Sequence, residues 1–276
     1  MTIQHTEWVR PTRRGQVQIG YRVGGAGAHT VVFLHGLAGH AGEWDRTAAA
    51  LRPECTTIAI DQRGHGISTR VPSDTTREAF VADVAAVLEH TACPQPVTLV
   101  GQSMGAHTAL LTAAWRPDLV VRLVMVEGDV GGGGAAAASN VHRALASWPD
   151  HFDSYEQVRD FFGGDTERGR AWAQAYEQQP DGWWPRFDRQ VMDAVMSPIF
   201  HEEWWHAWTS VRAATLLVLA QHSSIDASRI ERMCQLRPAT QRVTIPQAGH
   251  DLHLEHPDAW ITTLQQFLAT APHSAS

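Results

Sequence analysis

Gly101-Gln102-Ser103-Met104-Gly105 is the stretch of this chain best suited to chemistry. Pro96 to Val100 precedes it as a short apolar run and reads as a buried strand. An Ala/Leu-rich stretch from Met104 to about Trp115 follows and reads as a helix. A serine on such a strand-to-helix turn, flanked by glycines, reads as a nucleophile elbow. The turn is tight, and glycine removes side chains that would collide in it. The helix start aims backbone N–H groups at the serine, so an oxyanion can be held there. The chemistry this serves is attack of a hydroxyl on a carbonyl.

Other elements must bring partners to that serine. Thr30 to Leu34 is a continuous apolar run, as suits a strand covered on both faces. It ends in His35-Gly36-Leu37-Ala38-Gly39, whose glycines let the backbone turn back toward the sheet edge. There the N–H of Leu37 can point toward Ser103. Gln16 to Val23 alternates polar and apolar residues and reads as an antiparallel strand. Thr56 to Ile60 is a further strand, ending in Asp61-Gln62-Arg63-Gly64-His65-Gly66. Asp61 and His65 lie close enough to suggest a metal or acid–base site. No third ligand is near, so an Asp61–Arg63 pair bracing a glycine turn is the simpler reading. Thr75-x-x-Glu78 reads as a capping box opening a helix to about His90.

Val120 to Val126 is the next strand, ending at Glu127-Gly128-Asp129. Beyond the next segment, Ala214 to Ala220 and Arg242 to Ile245 read as strands. Ala227 to about Leu236 and Pro257 to about Ala269 read as helices, with Gly249-His250 in a turn between. Strands alternating with helices imply a parallel sheet with right-handed crossovers and a site at the strands' carboxyl ends. His35, Gly36, Ser103, Glu127 and His250 all fall just after a strand.

Residues 131–212 break this pattern. Gly131 to Ala138 is a Gly/Ala run that reads as a mobile connection. The remainder reads as helices, with Ser154-x-x-Gln157 as a capping box. Seven of the chain's 11 tryptophans fall here, Trp183, Trp184, Trp204, Trp205 and Trp208 among them. Adjacent pairs cannot both face one helical core. The segment therefore reads as a lid, with Trp183, Trp184, Trp205 and Trp208 as candidate pocket residues for an apolar substrate.

Composition closes off other classes. The chain has 276 residues, enough for one large or two small domains. It carries 29 acidic against 22 basic residues with no basic run, which argues against nucleic-acid binding. None of the basic residues is lysine, so Schiff-base chemistry, a P-loop and a Ser-Lys dyad are excluded. The three cysteines show no CxxC spacing, against zinc fingers and a disulfide framework. Met1 to Arg14 lacks an apolar core, and no apolar run reaches about 18 residues. The expectation is a cytoplasmic protein with no membrane partner, no metal and no cofactor; a homodimer is left open. His250, His253 and His256 spread around a helix or loop and make a poor metal cluster.

The sequence resembles the α/β-hydrolase superfamily, in its lid-bearing serine esterase and lactonase branch. The resemblance rests on His35-Gly36-Leu37, the Asp61 to Gly66 loop, the Gly101 to Gly105 pentapeptide and Gly249-His250 before the last helix. It implies an α/β-hydrolase fold with a mostly parallel central sheet flanked by helices. Residues 1–130 and 213–276 would form the core, with a helical lid, 131–212, inserted after the sixth strand. It implies Ser103 as nucleophile, His250 as general base and the N–H groups of Leu37 and Met104 as the oxyanion hole, with His35 and Gly36 beside the substrate. The usual acid position, a few residues after Ala220, holds Ser223 and Ser224. Some relatives take the acid from the strand after the elbow helix, where this chain has Glu127. Asp226 is the alternative, though it also suits the N-cap of the following helix, and Asp129 stands third. The implied activity is hydrolysis of a carboxylic ester or lactone of a bulky hydrophobic or aromatic small molecule. A C–C bond hydrolase fits less well, because Asp251 stands where those enzymes usually carry tryptophan. A ligand-binding receptor with weak hydrolysis is the other alternative.

Overall fold

The apolar runs line up as one sheet. The computed structural model describes residues 6–9, 17–52 and 54–270; the polar stretch Met1 to Arg14 lies outside these, apart from 6–9. The strands are β1 (Thr6–Val9), β2 (Ile19–Gly24), β3 (His29–Leu34), β4 (Cys55–Ile60), β5 (Val97–Gln102), β6 (Val120–Val126), the pair β7 (Tyr176–Gln179) and β8 (Gly182–Pro185), β9 (Ala214–Ala220) and β10 (Gln241–Ile245). Eight of them form the sheet in the order β1-β2-β4-β3-β5-β6-β9-β10. The two pairs made by β2 are antiparallel, and every other pairing is parallel.

The helices are α1 (Asp45–Leu51), α2 (Arg77–Thr91), α3 (Met104–Trp115), α4 (Gly134–Ala146), α5 (Tyr155–Phe161), α6 (Glu167–Ala173), α7 (Arg189–His201), α8 (Trp205–Ser210), α9 (Ala227–Leu236), α10 (Leu252–Glu255) and α11 (Pro257–Ala269). Successive side chains on a strand point to opposite faces. Val32, Leu34, Leu99, Met125 and Leu217 enter one apolar cluster together with α2, α3 and α9. Val31, Phe33, Val100, Val124 and Val218 enter another with Trp44 and Trp260. Both faces are covered, which is why these strands are apolar throughout.

Residues between β6 and β9 form an insertion carrying α4 to α8. It also contains the antiparallel β7–β8 hairpin, which an all-helical reading missed. Trp183 and Trp184 lie on that hairpin, so a strand, not a helix, separates their faces. The Gly/Ala run is only in part a connection, because α4 begins at Gly134. At α2 the expected capping box does not form. Thr76 is the N-cap and makes no side-chain cap bond, and its hydroxyl donates to Asp74 instead. Ser154 does cap α5 through the Gln157 N–H.

Candidate active site

Ser103 sits between β5 and α3 with φ 52° and ψ −116°, a conformation a non-glycine residue rarely adopts. The surrounding bonds hold it there: its N–H donates to Val126 O (2.9 Å) and its carbonyl accepts from His107 N–H (3.2 Å). A Cβ on Gly101 would collide with the Gly105 carbonyl, and one on Gly105 with the carbonyls of Leu34 and His35. The two glycines of the pentapeptide are therefore steric requirements of the turn. Met104 opens α3, and the first N–H groups of a helix have no intrahelical partner.

The loop after β3 runs alongside. A Cβ built on Gly36 would stand 3.5 Å from the Ser103 Cβ. His35 is fully buried and is committed to the backbone. The Gln62 N–H donates to its Nε2 (3.0 Å), so the proton sits on Nδ1, which donates to Gly36 O (2.7 Å). Burial holds this imidazole neutral, with its pKa pushed down to about 4. The Gly36 carbonyl and the Leu37 N–H belong to one planar peptide unit. By fixing the carbonyl, His35 fixes the direction of that N–H. His35 thus supports the loop and does not face a substrate, contrary to the expectation for it.

Asp61 does not pair with Arg63. Its carboxylate accepts from Ala41 N–H (2.6 Å) and Ile67 N–H (3.0 Å), while Arg63 pairs with Asp83 at 2.7 Å. Among the described residues no group of three potential ligands could hold a metal ion.

Glu127 follows β6 with φ 47°, and its carboxylate is wholly buried. Oε1 accepts from Ala220 N–H (2.7 Å). Oε2 accepts from Ser223 Oγ–H (3.0 Å) and from His250 Nδ1–H (3.4 Å). A carboxylate can only accept, so Nδ1 carries the proton and Nε2 is left basic. Gln102, next to Ser103, donates from Nε2 to the His250 carbonyl (3.1 Å) and ties the two loops together. Asp226 is elsewhere engaged: it is exposed and caps α9 through Ser228 N–H (2.9 Å). Asp129 pairs with Arg229 at 2.7 Å.

Desolvation pulls the His250 pKa down. The hydrogen bond to Glu127 and the carboxylates of Asp251, Glu127 and Glu255 outweigh it and raise the pKa above that of an ordinary histidine. Asp251 is also where the insertion meets this loop. Its Oδ2 accepts from Arg168 Nε (2.8 Å) and Trp172 Nε1 (3.0 Å), both on α6. Burial pushes the Asp251 carboxyl up, but His253, Arg168, His250 and the Trp172 bond hold it below the usual range. Asp251→Asn removes a negative charge beside His250 and leaves the Arg168 cation with only its longer pairing to Glu255 (3.9 Å). Both effects disfavour the imidazolium. The His250 pKa, followed by the NMR shift of its ring proton, is expected to fall.

The tryptophans divide. Trp183 lines a cavity of about 310 Å³ with Tyr155, Tyr176, Arg22 and Arg186. Trp184 stacks on His151 at 4.7 Å and donates to Asp181. Trp208 is fully buried, with Nε1 donating to Met233 O (2.9 Å) and Arg237 4.7 Å from its ring. Trp205 packs against the same core cluster beneath Arg232. Trp205 and Trp208 therefore anchor the insertion to the core, contrary to the expectation that they face a substrate. Their aromatic character alone could not separate anchoring from lining. The sequence does not single out Gln102, Ser223 and Asp251 as site residues, because their partners lie 96 residues or more away, or on the insertion.

A family model described as "Alpha/beta hydrolase family" matches residues 31–263. The mouse sn-1-specific diacylglycerol lipase ABHD11 is 29% identical over 268 residues, covering 89% of this chain and 83% of that protein. The N-formylmaleamate deformylase of Pseudomonas putida is 28% identical over 253 residues, covering 90% and 91%. The crystal structure of an E-2-(acetamidomethylene)succinate hydrolase superposes with a TM-score of 0.85 at 22% identity, over 96% of this chain and 99% of that one. The sheet order, the serine turn and a match spanning most of the sheet agree on one conclusion: this chain is a hydrolase and belongs to the alpha/beta hydrolase family.

Proposed function

We propose that the protein cleaves a carboxylic ester or lactone with a bulky apolar part, through an acyl-enzyme on Ser103. The observation that carries this is the buried Glu127 carboxylate bound to His250 Nδ1, on a loop tied by Gln102 to the serine turn. In this reading His250 Nε2 takes the Ser103 proton as Oγ attacks the carbonyl carbon. The Leu37 and Met104 N–H groups receive the developing oxyanion. His250 then gives the proton to the leaving oxygen, and water repeats the sequence on the acyl-enzyme. Glu127 orients the imidazole and steadies its charge.

The insertion is read as a lid. Leu37 and Met104 share an apolar cluster with Trp172, Met192, Val195 and Met196 of the insertion. These apolar surroundings of the two oxyanion donors support an apolar substrate. No helix among the described residues is long and apolar enough to cross a membrane, and we read the protein as cytoplasmic. The similarity to a deformylase favours a second reading, hydrolysis of a small amide by the same steps.

A panel of p-nitrophenyl esters of rising chain length, beside aromatic lactones and a formamide, tests the reading. Turnover is expected to rise with acyl length beyond acetate. Turnover of the formamide alone would replace the first reading with the second.

A further inference from the structure

We infer that Ser223 is a positioning residue for the acid. This rests on the reading of Glu127 and His250 above. The Ser223 hydroxyl is directional. Its Oγ accepts from the Ile225 N–H (3.2 Å), which occupies its lone-pair side and leaves its single proton for Glu127 Oε2 (3.0 Å). That is the same oxygen that receives His250 Nδ1–H, and at 3.4 Å the histidine bond is the longest of the three that Glu127 accepts.

The placement of the carboxylate is therefore set by its other two partners. Ala220 N–H holds Oε1 at 2.7 Å from the end of β9, and Ser223 holds Oε2 from the loop that follows. Two fixed donors on two oxygens define the carboxylate plane, and the imidazole reads that plane. Without the hydroxyl, one oxygen loses its anchor and the carboxylate can rotate about its last torsion. A hydrogen bond to a charged group is among the stronger net contributions in a folded protein.

Glu127 has a positive φ, so glycine is the truncation its backbone accepts best.

The experiment compares Ser223→Ala, Ser223→Thr and Glu127→Gly on a p-nitrophenyl ester. Ser223→Ala is expected to lower kcat about tenfold, with KM little changed and the acid limb of the kcat/KM profile displaced. Ser223→Thr keeps the hydroxyl and should retain most activity. Ser223→Ala with unchanged kcat and pH profile, beside an inactive Glu127→Gly, overturns the inference. Circular dichroism on each variant separates misfolding from misplacement. Full activity in Glu127→Gly would instead overturn the acid assignment on which the inference rests.

Discussion

Ser103→Ala is expected to lower kcat by about 10⁶-fold while leaving the fold and substrate binding largely intact. The size follows from the chemistry. The hydroxyl is the only group in the proposed mechanism that bonds covalently to the substrate, so its loss removes the acyl-enzyme path completely. What remains is catalysis by the oxyanion donors and by positioning, on the order of 10³–10⁴ over water. Alanine is well suited to the test. It keeps the Cβ that the turn already accommodates, and the bonds holding the turn run from the Ser103 backbone to Val126 and His107. Kinetics of the variant against the wild type, with a thermal melt as control, check the prediction. A variant retaining a tenth of wild-type turnover would remove Ser103 from the mechanism.

Glu127→Gln should cost about 10⁴-fold in kcat, as replacing the third member of a triad by its amide does. The amide is nearly isosteric, so packing survives. It also presents an N–H₂ group that can stand against His250 Nδ1–H and favour the wrong tautomer. Asp226→Asn provides the contrast. Asp226 is exposed and caps α9, and asparagine caps a helix as well as aspartate. That variant should stay within about twofold of wild type. The reverse ranking would return the acid to the position after β9.

These expectations show what could be read before the fold was known. Continuous apolar runs announced the parallel strands, since a strand covered on both faces has no polar side to show. The serine turn was legible because its glycines are sterically forced, and Gly101 and Gly105 indeed face backbone carbonyls. Glu127 could be ranked ahead of Asp226 but not separated from it, because both are acidic residues just beyond a strand. The separating fact is burial, and burial depends on where Ala220 and Ser223 come to lie, 93 and 96 residues further along. The insertion was the least legible part. Trp183 beside a cavity and Trp208 in the core look alike as letters. The β7–β8 hairpin was hidden because four-residue strands carry too little periodicity to be read. The role of His35 is hidden for a related reason: only the fold shows both of its ring nitrogens already taken by backbone.

A single measurement bears on the centre of this account. Wild-type protein is treated with a fluorophosphonate, digested, and examined by peptide mass spectrometry. The mechanism predicts one stoichiometric phosphonyl adduct on Ser103, with labelling abolished by prior treatment with a slow-turnover ester and sharply slowed in His250→Ala. A native protein that gives no adduct, or one on another residue, would contradict it.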